Sequence, residues 1–520
     1  MSPLPVFSRA EVAKHNTPED AWIIIDDKVY DITRFAGMHP GGELILLQTA
    51  GTDQTKDFIG LHKMDVLEKY GPKLVKGTVE GAKPGGYQAW NEFSTVPYAE
   101  PSHIREGFSS PFYTSKHVAF RKAVRDLIHQ EVRPWAIQAE QTHEYPSKEL
   151  FAKLGACGFI ASLTGKGHHL AFGPKLPGGI EFDDFDIFME GIVHEELGRL
   201  VCPGATDALM AGMVISFPLV AEFGFKDKAI MPKIAKEVLS GEKQICLAVT
   251  EPFAGSDVAN VRTTAVKSAD GSHYVINGVK KWITCGKFCD YFVTLARTGG
   301  PGAGGLSYFL VPRSEGLETK QISTSYAKSA GTALVIFENV KVDAAYLIGG
   351  KENRGFYQAM QNFSKERWLI CSRMIAISRF TVEECWKWAL QRDVFGKPLM
   401  SQPLIRFKLA EMNARIEGIQ NWYENITYQM SKMSFQDAGR LLSGPIALLK
   451  YEVTRVGSLV ADQAPQIFGG RAITQTGMGQ VIERYCRAAK FASILGGSEE
   501  ILADQAVKMA LRDFKGGARL

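Results

Sequence analysis

Residues 248–257 read Ala-Val-Thr-Glu-Pro-Phe-Ala-Gly-Ser-Asp: an apolar run that breaks at Thr250 into a Glu-Pro step and then small residues. A strand end followed by small residues can present backbone N–H groups and hydroxyls to a phosphate or a flavin edge. Taken alone, the stretch is more simply a polar β-turn. Further on stand Lys281-Trp282-Ile283-Thr284. A Trp can stack on a planar ring and a Thr hydroxyl can bond a ring nitrogen, although Trp282 also suits ordinary sheet packing. The zone 244–350 around both stretches is rich in Val, Ile, Thr and Gly, and two β-like runs around Asn277-Gly278 predict a hairpin. Upstream, 107–243 carries helical spacing, as in Phe120, Val124, Leu127, Ile128 and Val132. Downstream, 351–515 returns to long helical patterns, with 516–520 as a tail. Helix, then sheet, then helix predicts one large unit of three subdomains.

The chain has 520 residues, too many for one compact domain. Hydrophobic residues make up 45% and charged residues 22%, which excludes a disordered or collagen-like chain. Lys plus Arg number 60 against 56 acidic residues, and a net charge of +4 gives no support for nucleic-acid binding. The eight cysteines form no CxxC pair, so packed, reduced thiols are expected rather than a zinc site. The start, MSPLPVFSRA, lacks the charged n-region and apolar core of a signal peptide, and no run of 18 apolar residues predicts a membrane span.

Residues 81–106 change character, with Pro84, Pro97 and Pro101, Gly81, Gly85 and Gly86, and no periodicity, which predicts a linker. The unit before it, 1–80, is small for an unaided core, so a staple such as a cofactor is expected. Within it His39 precedes Pro40-Gly41-Gly42, and His62 follows Phe58 and Leu61. Two imidazoles from facing helices can ligate a haem iron from both sides, with Phe35 and Phe58 on the macrocycle. As isolated features, they are two surface histidines near a turn.

In context, Trp22 to Ile25, Val29 to Phe35, His39-Pro40-Gly41-Gly42 and Phe58 to His62 resemble cytochrome b5 over the whole small unit. The resemblance implies a small α+β domain holding haem b, with His39 and His62 as iron ligands. A bis-histidine iron has no open position, so such a unit carries single electrons.

The large unit resembles the acyl-CoA dehydrogenase family. The marks are Ala248 to Asp257, Lys281 to Thr284, Arg392 to Pro398 and Gln466 to Gly470, in the family's order. The resemblance implies an N-terminal helical bundle, a β-barrel-like middle domain and a C-terminal four-helix bundle. By it, Val249, Thr250, Ser256, Trp282, Ile283, Thr284, Ser498 and Glu500 line FAD, and Ser256 also meets substrate. Arg392, Phe395, Gln466 and Gly470 reach the FAD of a neighbouring subunit, which implies a homo-oligomer, a dimer or tetramer. An Arg suits a pyrophosphate because it binds two oxygens at once. The implied reaction converts an acyl-CoA to its trans-2-enoyl-CoA. Because one chain would then carry a two-electron donor and a one-electron carrier, electron transfer from FAD to the fused haem is expected as a hypothesis beside it.

The reaction needs a carboxylate base in a dry pocket, its pKa raised toward working pH, and donors on the thioester oxygen. Most of the family place that Glu just before the C-terminal Gly-Thr/Ser, where this chain has Gly496, followed by Gly497-Ser498-Glu499-Glu500. The isovaleryl and long-chain members keep it on a helix, and their motif is similar to Phe363-Ser364-Lys365-Glu366-Arg367. Glu366 is therefore assigned as the base, with Arg367, Gly496 and Gly497 on the substrate side. Phe356, Met360, Phe363, Ile370, Met374 and Ile377 predict one apolar stripe that Arg367 interrupts, with Glu366 one step round the helix, about 100° away. Arg367 reads otherwise as half of a structural ion pair, and Glu366 as a solvated helix residue.

Ser364 stands where an Asp is usual, and Arg471-Ala472 where many members have a Gly-Tyr turn. The insertion-like segment 165–186 is expected at the acyl entrance, with His168 and His169 as exposed loop residues. The tripeptide Ala518-Arg519-Leu520 resembles the small-basic-Leu peroxisomal address; without import, a mitochondrial or cytoplasmic location is expected. Two rival readings remain open: an oxidase that passes electrons to oxygen, and an inert flavoprotein or scaffold.

Overall fold

A computed structural model describes residues 4–62, 65–81 and 89–514. The tail 516–520, and with it the Ala518-Arg519-Leu520 expectation, lies outside the described residues. By its contacts the chain divides into two units: Met1–Ser94 with Glu384–Leu409 and Pro465–Glu483, and the remainder. The division cuts across the C-terminal helical zone, which the sequence reading kept whole.

In the first unit a five-stranded sheet has the order β1-β5-β4-β3-β2. The strands are β1 (Val6–Phe7), β2 (Asn16–Thr17), β3 (Asp20–Ile25), β4 (Lys28–Asp31) and β5 (Val75–Val79). Helices α1 (Arg9–Val12), α2 (Glu43–Thr49), α3 (Thr55–Leu61) and α4 (Asp65–Leu74) accompany it. β3 is buried on both faces: Ile23 and Ile25 pack with Tyr30 and Ile32, while Trp22 and Ile24 pack with Val12, Val29 and Val79. No residue of α2 or α3 is fully buried, but Leu46 and Leu47 of α2 and Phe58 of α3 pack partly buried against the Ile23–Ile25–Tyr30–Ile32 side of the core. Lys56 on α3 pairs with Asp393, Nζ to Oδ2 2.7 Å.

The second unit opens with α5 (Ser115–Leu127), α6 (Arg133–Thr142), α7 (Lys148–Ala156), α8 (Phe159–Leu163), α9 (Ile187–Gly198), α10 (Pro203–Thr206), α11 (Gly212–Phe223) and α12 (Ile230–Leu239). A π-helical turn, Ile128–Val132, continues α5, and another, Asp207–Ala211, joins α10 to α11. The span Pro203–Phe223 is long and apolar enough to cross a membrane by length and composition, but 83% of its most apolar window is buried inside the protein. It is a core helix, interrupted by polar residues that hid it from a search for unbroken apolar runs.

The seven-stranded sheet comprises β6 (Ile245–Ala248), β7 (Thr264–Lys267), β8 (His273–Ile283), β9 (Tyr291–Arg297), β10 (Leu306–Pro312), β11 (Leu317–Gln321) and β12 (Ala333–Asp343). Its order is β10-β9-β7-β8-β12-β11, with β6 parallel to β9. The expected hairpin at Asn277-Gly278 is absent. Both residues lie inside β8, opposite a register shift in β12 between Phe337 and Val340. A Cβ on Gly278 would fall 2.7 Å from Thr263 Cα, so the glycine permits close strand approach at a bulge rather than a turn.

The C-terminal elements are α13 (Gly355–Gln391), the hairpin β13 (Asp393–Val394) and β14 (Lys397–Pro398), α14 (Pro403–Ser431), α15 (Phe435–Leu441), α16 (Ser443–Phe468), α17 (Gln480–Ala492) and α18 (Glu499–Asp513). The single stripe expected on α13 is too narrow. Ala359, Trp368, Leu369, Cys371 and Ile375 are buried too, because this helix is packed on several sides.

Three further expectations change. His169 is buried, not exposed: its Nε2 lies 2.9 Å from Thr164 Oγ1 and its ring packs edge-on against Phe217. His168 is exposed. The stretch read as linker is not uniform, since Ala99 and Glu100 are buried. Glu100 makes paired bonds to Arg125 at 2.6 and 2.9 Å, and Arg379 donates to the Tyr98 carbonyl. The eight cysteines are all free thiols.

Candidate active site and haem-binding histidines

In the small unit, a 3-10 turn at Ala36–Met38 delivers His39 to its C-terminal end. The Gly42 amide returns to the His39 carbonyl at 2.9 Å, and Gly42 takes φ +96°, a conformation suited to glycine. A Cβ on Gly41 would lie 2.7 Å from the His39 ring. The Pro-Gly-Gly sequence thus leaves the imidazole room and opens α2. His39 Nδ1 lies 3.1 Å from the Gly42 carbonyl, which leaves Nε2 for a metal. His62 caps α3 and stacks on Phe58, ring centres 4.7 Å apart.

The two imidazole centres are 5.8 Å apart. Metal–nitrogen bonds of about 2 Å on each side place ring centres roughly 6 Å apart, so the pair fits a single iron between them. Met38, Leu44 and Leu61, close to these histidines in sequence, are exposed apolar residues, and such a lining suits a flat macrocycle. Phe35 lies 6.1 Å from His39 and also 5.4 Å from Tyr70, a ring neighbour that sequence reasoning missed.

In the large unit the stretch 248–257 leaves β6 and turns back at Glu251–Ala254. Glu251 organises that turn. Its carboxylate accepts from the Arg262 and Thr263 amides at 2.7 and 2.9 Å, from the Thr263 hydroxyl at 2.5 Å, and from Lys280 Nζ at 2.8 Å. Lys280, fully buried, also donates to the Val249 carbonyl at 3.0 Å. Burial pulls its ammonium down to about 8, with Glu251 opposing. Sequence reasoning missed both residues; a Lys inside an apolar strand was the available signal.

The Lys281 amide bonds the Thr250 carbonyl at 2.8 Å, which brings the Thr250 and Trp282 stretches side by side. Trp282 is 53% exposed and takes φ +67°. An aromatic at the end of a strand in the left-handed region is strained, and such strain clusters at ligand sites. Packing within the sheet does not account for Trp282. Ile283 points into the sheet core, leaving only its backbone to face a ligand. Val249 is buried, Thr250 and Thr284 half-buried, and Ser256 exposed.

Glu366 is buried, and its Oε2 has no hydrogen-bond partner among the described residues. Burial pushes its carboxyl up to about 7, against the pull of Arg367 and Lys450. Gly496 faces it: a Cβ there would lie 3.5 Å from Glu366 Oε1 and 2.8 Å from Ile370 Cδ1. Arg367 Nε donates to the Gly496 carbonyl at 2.8 Å, and Lys450 Nζ to the Gly497 carbonyl at 2.9 Å. Both glycines have positive φ, +66° and +106°. Ser498 caps α18 with Glu499 and Glu500 in its first turn, and Glu499 accepts from Thr454 Oγ1 at 2.8 Å. Glu500, fully exposed, is held low by its own backbone amide and by Ser498. Ser364 is buried, its hydroxyl without a partner among the described residues.

Family profiles described as acyl-CoA dehydrogenase N-terminal, middle and C-terminal domains match residues 114–237, 246–340 and 353–511. The chain is 35% identical over 435 residues to the acyl-CoA dehydrogenase apdG of Emericella nidulans, covering 82% of this chain and 97% of that protein. The chain belongs to the acyl-CoA dehydrogenase family. This dehydrogenase is also 30% identical over 406 residues to the mitochondrial long-chain specific acyl-CoA dehydrogenase of Sus scrofa, covering 77% and 88% of the two chains. Its fold is similar to that of butyryl-CoA dehydrogenase from Megasphaera elsdenii, with a TM-score of 0.67, 26% identity and coverage of 77% and 99%. Residues 8–80 match the cytochrome b5-like haem/steroid binding domain. The family binds FAD, and the cytochrome b5-like domain brings a haem site to the same chain.

In the first unit, Arg392, Phe395, Gln466 and Gly470 of this dehydrogenase are exposed. Phe395 and Gly396 form the β13–β14 turn with φ +52° and +75°, and Phe395 is 95% exposed. An apolar ring held at a hairpin tip in a strained conformation is placed to meet another surface.

Proposed function

We propose that this enzyme dehydrogenates an acyl-CoA at its α,β bond with Glu366 as the base, and that its electrons leave through a haem held by His39 and His62. The observation that carries the reading is the buried Glu366 carboxylate facing Gly496, its Oε2 without a hydrogen-bond partner among the described residues. A base must have a proton affinity near working pH and an open oxygen, and Glu366 has both. Bound FAD supplies a two-electron acceptor and bound haem a one-electron carrier.

The chain's own residues do the rest. Glu366 removes the α-proton. The Gly496–Gly497 backbone offers N–H donors where negative charge develops on the thioester oxygen. A glycine at 496 keeps the donor and leaves the carboxylate its space. Val249, Thr250 and Ser256, together with the Trp282–Thr284 backbone, orient the isoalloxazine, with Ser498 and Glu500 at its further contacts. Arg392, Phe395, Gln466 and Gly470 serve the FAD of a second copy in a homo-oligomer.

The Glu366→Gln variant tests the assignment. It should bind FAD at parental stoichiometry and lose flavin reduction by acyl-CoA. Parental reduction rates would remove Glu366 from the role. Peroxide formed stoichiometrically with enoyl-CoA by the parent would instead favour an oxidase.

A further inference from the structure

Lys450 sits on α16 and is fully buried. A buried ammonium needs compensation. The bond found for it is donated to the Gly497 carbonyl at 2.9 Å, beside the Arg367 bond of 2.8 Å to the Gly496 carbonyl. Two cations from two different helices therefore grip consecutive carbonyls of one short turn.

A trans peptide is planar, so its N–H points opposite its C=O. With the Gly496 carbonyl on Arg367, the Gly497 N–H is directed away from that guanidinium. The same turn faces Glu366: a Cβ placed on Gly496 would come within 3.5 Å of Oε1. Gly496 and Gly497 occupy the left-handed region at +66° and +106° and have no side chain to hold them there, so their orientation rests on the two carbonyl bonds and on the start of α18.

We infer, resting on the dehydrogenase reading above, that Lys450 is a positioning residue: with Arg367 it fixes the Gly496–Gly497 turn against Glu366. As a cation bearing on that carboxyl it also favours the ionised form. The charged and titratable groups bearing on Glu366 are Arg367 on its own helix, Lys450 from α16 and the Tyr308 hydroxyl from β10. Lys450 in turn faces Cys371, Arg367 and Glu499. Burial brings Lys450 down to about 8, so it remains charged at neutral pH. The α-proton passes to Glu366, not to Lys450, so no new bond-making step is added.

The test is an infrared titration of the Glu366 carboxyl in the FAD-loaded full chain, its band identified by loss in Glu366→Gln, together with rapid-mixing flavin reduction by acyl-CoA. In Lys450→Met the midpoint should move alkaline by about half a unit or more, and flavin reduction should slow on the order of tenfold. Lys450→Arg should keep the parental midpoint. If the Met variant does not fold, Lys450→Gln carries the same two readouts. An unmoved midpoint with only a slower rate reduces Lys450 to packing and overturns the inference. A moved midpoint in a protein whose flavin no acyl-CoA bleaches supports the positioning role and sinks the dehydrogenase reading instead.

Discussion

Gly496 stands against Glu366 so closely that a Cβ on the glycine would sit 3.5 Å from the carboxylate Oε1 and 2.8 Å from Ile370. A Cβ at 496 would touch the carboxylate at ordinary contact distance but clash with Ile370, the neighbour of the base on the same helix face, so a larger residue at 496 would push into the packing around Glu366. With φ +66° at Gly496, Gly496→Ala adds backbone strain to that crowding. It should destabilise the protein by about 1–3 kcal/mol, read as a lower thermal midpoint, and slow flavin reduction while FAD stays bound. Wild-type stability and rate would contradict tight packing at Gly496.

The pH dependence follows from Glu366. Its carboxyl is raised from an ordinary 4.5 to about 7, first by burial. The folded state therefore holds a proton that the unfolded state releases, so stability falls as pH rises through that window. The loss at alkaline pH is on the order of 3 kcal/mol. Glu366→Gln should unfold at a higher temperature than the parent at pH 8 and match it more closely at pH 5. Flavin reduction by the parent should rise through a midpoint near 7 as the base ionises. A difference independent of pH would place Glu366 in a solvated environment.

Lys280 and Glu251 form a buried ion pair, 2.8 Å between Nζ and Oε1, that anchors the Thr250 turn. Removing one partner of such a pair costs about 3–5 kcal/mol because the other charge stays buried. Lys280→Met should lower the thermal midpoint and loosen FAD, measured by flavin release on dilution. Retention of FAD at parental affinity would separate the pair from the flavin site.

His39→Ala and His62→Ala test the small unit. Each should abolish the bis-histidine haem absorbance and leave acyl-CoA bleaching of the flavin intact. A haem spectrum unchanged in both variants would require other ligands.

Several of these features were legible in the sequence. Gly42 at φ +96° and the Trp282 stretch belong to short motifs whose residue types encode local geometry. Asn277-Gly278 misled because the dipeptide carries the same chemistry in a turn and in a bulge, and only Thr263, which is distant in sequence, decides between them. His169 misled for a similar reason: it stands in a glycine-rich, loop-like stretch, while Phe217, distant in sequence, and Thr164 enclose it in space. Lys450 and Glu251 went unnoticed because their partners, Gly497 and Lys280, lie far along the chain, and burial by tertiary packing leaves little local signature.

The most direct test is anaerobic titration of the FAD- and haem-loaded chain with a panel of acyl-CoAs, following flavin and haem absorbance together. The account predicts that at least one acyl-CoA bleaches the flavin and that haem reduction then follows. It also predicts that Glu366→Gln does neither. A flavin that no acyl-CoA bleaches would contradict the dehydrogenase assignment, and a bleached flavin beside permanently oxidised haem would contradict the proposed electron route.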